Sequence, residues 1–244
     1  MFTLGRAVAV FALIGLGSEL HAAPVTFFGQ DVNAGRNANN HPTADAARNN
    51  FFTNLTSIIT ESFESFAANK AAPISINFGS AGTATLTGTG KVLIGANNVG
   101  QFPVSGTHYF NNNGAFGLTF SAPIAAFGFY GTDVGDVGAT LKINLVNVNN
   151  QSVTLTVPHQ KGSATSGSVL YFGFFDAGNT YKSISFAGAG SDVFGFDDFS
   201  IGSQAQINSV QALAGASVVP EPASFALLGT LMLGLAAISR RTKR

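Results

Sequence analysis

Residues 141–157 read LKINLVNVNNQSVTLTV. Leu141, Ile143 and Leu145 alternate with polar residues on the way out, Asn149 and Asn150 can turn the chain, and Val153, Leu155 and Val157 alternate on the return. A period of two places one set of side chains on a single face of a strand, and an Asn pair tolerates the backbone angles of a tight turn. The stretch is a β-hairpin with one apolar and one polar face.

The same period runs outward in both directions. APISINF, TATLTGTGKVLIG and GAFGLTFSAPIAAFGFYG precede the hairpin; SVLYFGFFDAG, TYKSISFAG and VFGFDDFSIG follow it, with Gly, Pro or Asn between the runs. Composition agrees: 23 Phe and 29 Gly, with no Trp and no Cys, supply ring-bearing strands and flexible turns. Upstream, TADAARNNFFTNLTSII changes to helical spacing through Ala47, Phe51, Leu55 and Ile58, predicting an amphipathic helix near 43–59 with Thr43 as its N-cap. Nine or ten short strands with one helix describe a mainly β protein, an antiparallel β-sandwich of jelly-roll-like arrangement with the helix laid on one side. The sandwich is expected over 24–202, followed by a small, polar linker over 203–218.

The two ends have a different character. Residues 1–23 carry one basic residue, an apolar run from Ala7 to Leu16 and small residues up to Ala22 and Ala23, the layout of a secretory signal peptide. Near the other end, Val218–Arg244 reads VVPEPASFALLGTLMLGLAAISRRTKR. An uncharged stretch at 223–239 is, as a helix, about 25 Å long and marginal for a hydrocarbon core of about 30 Å. The basic cluster that follows acts as a stop on the cytoplasmic side.

Pro220, Glu221 and Pro222, the apolar helix and the basic tail with Arg240 and Arg241 resemble the PEP-CTERM sorting signal of exported bacterial proteins. The resemblance implies export across the inner membrane and transient anchoring by the C-terminal helix. It also implies cutting by an exosortase membrane peptidase near the Pro-Glu-Pro site, and delivery to the cell surface or the extracellular polysaccharide matrix. A permanent single-span anchor is the competing reading. Prolines suit a cleavage site because they hold the backbone extended.

ESFESF, AFGFYGTD and GFDDFSIG resemble the β-sandwich bodies of other PEP-CTERM proteins and, more distantly, carbohydrate-binding jelly rolls. The second resemblance implies a structural calcium shared between Glu61 or Glu64 and Asp197 or Asp198. Strand alternation sends Asp197 and Asp198 to opposite faces unless a bulge intervenes. Asp133 and Asp136 form a second acidic loop, without the spacing of an EF-hand, and read better as a polar turn. Tyr109, in the amide-rich GTHYFNNN, is the candidate platform for stacking a sugar ring. Thr83, Thr85, Thr87 and Thr89 line one face of a strand opposite Ala84 and Leu86, an outward row suited to sugar hydroxyls or to ordinary solvation.

Between Pro24 and Val218 there are seven basic and ten acidic residues, and the lysines stand singly, which argues against nucleic acid as a partner. His41, His108 and His159 are far apart in sequence, no nucleophile elbow is present, and Glu61 and Glu64 are too close along one strand to enclose a glycosidic bond. The expectation is a non-catalytic surface or matrix protein that binds extracellular polysaccharide. The alternatives are an extracellular hydrolase and a purely structural, self-associating coat component.

Overall fold

The computed structural model describes residues 23–208 except 33, 35–39, 98–99, 113 and 189–191. The expected leader up to residue 22, the linker from residue 209 and the sorting signal with its helix at 223–239 lie outside the described residues. Among the described residues no helix is long and apolar enough to cross a membrane.

The first elements are β1 (Val25–Asp31), the α-helix α1 (Pro42–Phe52), β2 (Ile59–Glu61), β3 (Ile74–Asn77), β4 (Thr83–Gly88) and β5 (Lys91–Ile94). Next come β6 (His108–Asn112), β7 (Phe116–Ile124), β8 (Ala126–Thr132), β9 (Lys142–Asn147) and β10 (Ser152–Thr156). The last strands are β11 (Val169–Phe175), β12 (Tyr181–Ala187) and β13 (Phe194–Gly202). They form two antiparallel sheets. A seven-stranded sheet has the order β1-β11-β8-β13-β6-β5, with β2 also paired to β13; a six-stranded sheet has the order β10-β9-β12-β7-β4-β3.

The burial of each strand follows from what covers it. In β4 the pattern alternates, with Ala84 and Leu86 buried and Thr83, Thr85 and Thr87 exposed, because only one face of the six-stranded sheet meets the core. In β8 and β11 every residue is buried, because the other sheet covers one face and α1 covers much of the other. Continuous runs such as VLYFGFF are therefore strands packed on both sides.

The inter-sheet core is built on phenylalanine. Phe116 and Phe186 stack with centroids 4.1 Å apart and planes inclined by 9°, and Phe127, Phe129, Phe196 and Phe199 meet around them mostly edge to face. Such pairs add about 0.5–1.5 kcal/mol beyond their area burial. A second core lies between α1 and the seven-stranded sheet, where Ala44, Ala47 and Phe51 pack with Tyr130, Tyr171 and Phe175. The helix sits close because Gly29 lacks a side chain: a Cβ there would lie 2.2 Å from the Thr43 carbonyl oxygen.

The helix is shorter than its periodicity suggests. It begins at Pro42, so His41 and not Thr43 is the N-cap, and no side chain of His41 closes it. The Asp31 carboxylate at the end of β1 does so instead, accepting from the Thr43 and Ala44 amides at 3.2 and 2.9 Å. Beyond Phe52 the chain leaves the helix to pair with the segment after β13: Leu55 bridges Ile207, and the Asn208 amide donates to the Asn54 carbonyl. Residues 203–208, expected to open a linker, are thus packed against the sandwich.

Candidate functional site

Of the four acids Glu61, Glu64, Asp197 and Asp198, the fold brings together some and not all. A register shift between Asp197 and Ser200, with Asp198 at φ +51°, makes a bulge in β13. Strict alternation is broken there, and both carboxylates reach the same loop. Asp197 Oδ2 accepts from the Val104 and Ser105 amides at 2.8 and 2.9 Å, its Oδ1 accepts from the Asp198 amide, and Asp198 Oδ1 accepts from Ser105 Oγ at 2.7 Å. Burial, and then the charge of Asp198, pushes the Asp197 carboxyl well up; burial also raises Asp198. Glu61 lies near enough to feel Asp198, and burial first, then that charge, raises it too, against a hydrogen bond from the Phe63 amide.

Glu64 does not join them. It turns to the loop before β6, where it accepts from the Thr107 and His108 amides, both at 2.6 Å, and from Thr107 Oγ1 and His108 Nδ1. Slight desolvation opposes ionisation, but the bonds from His108 and Thr107 outweigh it and bring the carboxyl down to about 2. Of the acids that the jelly-roll resemblance offers for a shared calcium, Glu64 is committed to the loop before β6 and Asp197 already accepts three backbone N–H groups, whereas Glu61 and Asp198 lie close to each other. Among the described residues no group of three or more His, Cys, Asp or Glu is arranged to hold a metal ion.

Tyr109 is a correction. It belongs to β6 rather than to a loop, and its ring is fully buried, so it has no face to offer a sugar. Asp133 is also buried, accepting from the Gly167 amide at 2.8 Å and from Gln101 Nε2, so it anchors its turn. Asp136 meets Asp192, whose carboxyl is raised to about 7 by burial and then by that contact. His159 accepts from the Leu141 amide through Nε2 at 3.0 Å, and its Nδ1 meets the Gln160 carbonyl; burial lowers its affinity for a second proton. His41 contacts Asp45 at 3.0 Å, and Tyr130 Oη also donates to Asp45.

The threonine row becomes more than a row once strands pair. Across the six-stranded sheet, Ser75 faces Thr85, Thr85 faces Thr119, Thr119 faces Ser183, Ser183 faces Val146 and Val146 faces Ser152. A parallel rank runs Thr87, Gly117, Ser185, Asn144 and Thr154. Sheet geometry sets these side chains about 4.8 Å apart across strands and about 7 Å apart along them. Among the described residues no helix or second sheet packs on this face, and most of its hydroxyls are exposed. The strands of this sheet contain no carboxylate and just two cations, Lys142 and Lys182.

Gly117 opens a dip in that face. A Cβ there would meet the Ile184 carbonyl oxygen at 2.8 Å, so the position is kept bare by the approach of β12. The result is a shallow trough of about 370 Å³ bordered by Thr87, Thr119, Ser183 and Ser185. What the arrangement supplies is hydrogen-bonding capacity of both senses, since each hydroxyl donates and accepts, on an almost uncharged floor.

Comparisons with known proteins address chiefly the C-terminal stretch. The PEP-CTERM protein-sorting motif matches residues 218–244. That motif marks an exported protein with a C-terminal sorting signal and implies processing by an exosortase. Among solved structures, the K2 cleaved adhesin domain of Lys-gingipain overlaps at TM-score 0.37 and 14% identity, covering 59% of this chain and 97% of that one. A family 29 carbohydrate-binding module overlaps at 0.31 and 14% identity over 63% of this chain and 99% of that one. The CBM22-1 xylan-binding domain from Paenibacillus barcinonensis Xyn10C overlaps at 0.32 and 15% identity over 59% and 91%. These overlaps are too loose to carry a binding site across. No curated protein matches the chain at a significant level.

Proposed function

We propose that this is a non-catalytic surface or matrix protein that binds neutral extracellular polysaccharide through the open face of its six-stranded sheet. The observation that carries the reading is the pair of hydroxyl and amide ranks across β3, β4, β7, β12, β9 and β10, with no carboxylate among them and a trough over Gly117. A polysaccharide presents repeated hydroxyls over a long, locally flat surface. Many modest hydrogen bonds summed along one chain give retention without a deep pocket, because each further contact becomes intramolecular once the first is made. The scarcity of charge, two lysines and no carboxylate, favours neutral over acidic glycans.

The sorting motif supports this reading by delivering the protein to where such polymers lie. In the proposal, the C-terminal helix holds the chain in the inner membrane until an exosortase cuts near Pro220, Glu221 and Pro222, and the sandwich is then released to the surface or matrix.

The test is affinity electrophoresis of the full chain through gels containing neutral or acidic polysaccharides, with wild type and a Thr85→Val, Thr119→Val double variant. Valine keeps the shape and removes the hydroxyls. Retardation by a neutral polymer that the double variant loses, at an unchanged melting temperature, supports the proposal. Absence of retardation in every polymer, or equal retardation of the two proteins, overturns it.

A further inference from the structure

A second place on the molecule is built for a polar, uncharged ligand. Where β9 turns into β10 and β11 into β12, two cavities of about 320 and 380 Å³ adjoin and share Asn147, Gln151 and Asn179 as a common wall. Each is near the lower end of the roughly 300–1,000 Å³ range of small-molecule pockets.

The orientation of the amides in that wall is forced. Asn147 Oδ1 accepts from the Asn149 and Gln151 backbone amides at 2.9 and 2.8 Å, so its Nδ2 faces the other way and donates to Gln151 Oε1 at 2.9 Å. Gln151 must present its oxygen to that donor, which leaves its Nε2 group as a donor with no partner among the described residues. On the other side, Asp176 accepts from the Gly178 and Asn179 amides, from Tyr181 Oη and from Asn179 Nδ2. Asn179 must present its nitrogen to the carboxylate, which leaves its Oδ1 as an acceptor with no partner among the described residues. Backbone amides and a buried carboxylate have thus fixed one donor and one acceptor in the wall that the paired cavities share.

The surroundings select against charge. The Asp176 carboxylate is buried and met by four donors, and Lys182 Nζ is engaged by Asn150. Val153 borders one cavity and the exposed Val148 the other, giving each an apolar side. Two neighbouring hydroxyls on a sugar ring satisfy a fixed donor and a fixed acceptor together, while the ring's C–H face covers a valine.

We propose that this end of the sandwich is a separate saccharide site, which takes the end of a neutral glycan or a short neutral oligosaccharide with Gln151 as donor and Asn179 as acceptor. The inference rests on the reading that the protein works on polysaccharide, and adds recognition of a chain end to the lengthwise contact at the sheet face.

Saturation-transfer NMR of the full chain with glucose, mannose, galactose, N-acetylglucosamine and cellobiose tests it. Transfer to at least one of these is expected. Gln151→Glu, which keeps the size of the side chain but exchanges the exposed donor for a charged acceptor, is expected to weaken that binding about tenfold or more, the cost of one well-placed hydrogen bond left unmade. Asn179→Ala removes the acceptor independently and is expected to do the same, whereas the Thr85→Val, Thr119→Val variant leaves it unchanged. No transfer to any of the five sugars overturns the site, as does equal binding by wild type, Gln151→Glu and Asn179→Ala. If retention by a polymer persists in that event, only the end site has failed; if retention is absent but short sugars bind, only the sheet-face reading has failed.

Discussion

Asp197 Oδ2 lies 2.8 Å from the Val104 amide nitrogen, across 93 residues of sequence, and the same oxygen takes the Ser105 amide. One buried carboxylate therefore pins the loop that leads into β6. Replacing it with alanine leaves the Val104, Ser105 and Asp198 amides without this acceptor, at about 1–3 kcal/mol for each that stays out of water. Asp197→Ala is expected to lose about 2–5 kcal/mol in urea denaturation. Asp197→Asn keeps one acceptor oxygen and removes a poorly solvated charge, so its loss is expected to be clearly smaller. Equal losses in the two variants count against the pin.

Phe51 fastens α1 to the sheet. Its ring is fully buried, 5.7 Å from Phe27 and 6.0 Å from Tyr171 between centroids, over the bare positions Gly128 and Gly173. Truncation of a buried Phe costs about 3–5 kcal/mol. Phe51→Ala is expected to fall in that range, and the backbone amides of α1 are expected to become the fastest-exchanging of any regular element.

Stability is expected to fall as pH rises from about 4 toward 7. Burial and Asp136 raise Asp192 to about 7, and Asp197, Asp198 and Glu61 move in the same direction. A carboxyl that binds its proton more tightly folded than unfolded stabilises the fold fully below the unfolded value near 4, and that contribution is lost as pH rises through the folded value. Glu64, lowered to about 2, has the opposite sign: its contribution is present above about 4.5 and is lost as pH falls through 2. The melting temperature is expected to peak near pH 4–5 in a calorimetric series, and a maximum at pH 8 refutes the assignment.

Asp136→Asn isolates one part of that slope. It removes the negative neighbour of Asp192, so the melting temperature is expected to rise at pH 8, stay the same at pH 4.5, and vary less between the two. An equal rise at both pH values points to a cause other than charge.

Periodicity revealed the strands and could not reveal the surfaces. The 141–157 hairpin turns at Asn150, which has φ +63°, and Leu141, Ile143, Leu145 and Val157 are buried as the alternation implies. Thr83, Thr85 and Thr87 face outward as read, but the ranks they join come from strands distant in sequence, so the array exists only through pairing. Tyr109 was misplaced because polar amides around it suggested a loop; in fact β6 lies between β13 and β5, and its Tyr109-Phe110 pair is buried. The bulge at Asp198 was legible only as a condition, since two adjacent aspartates give no sign of which residue will take a positive φ. Gln151 and Asn179 were missed altogether: amides in turns are common, and nothing but the partners of Asn147 and Asp176 distinguishes these two.

The rank Thr85, Thr119, Ser183, Ser152 has a kinetic consequence. Its members enter from four separate segments, brought together only when β4, β7, β12, β9 and β10 have docked. A chain threaded through a secretory pore in extended form carries none of this array, and high contact order makes its assembly slow relative to a helical domain. Under the proposed function stickiness is thereby postponed: a chain exported unfolded is an inert thread in transit and gains its adhesive side only on folding after arrival.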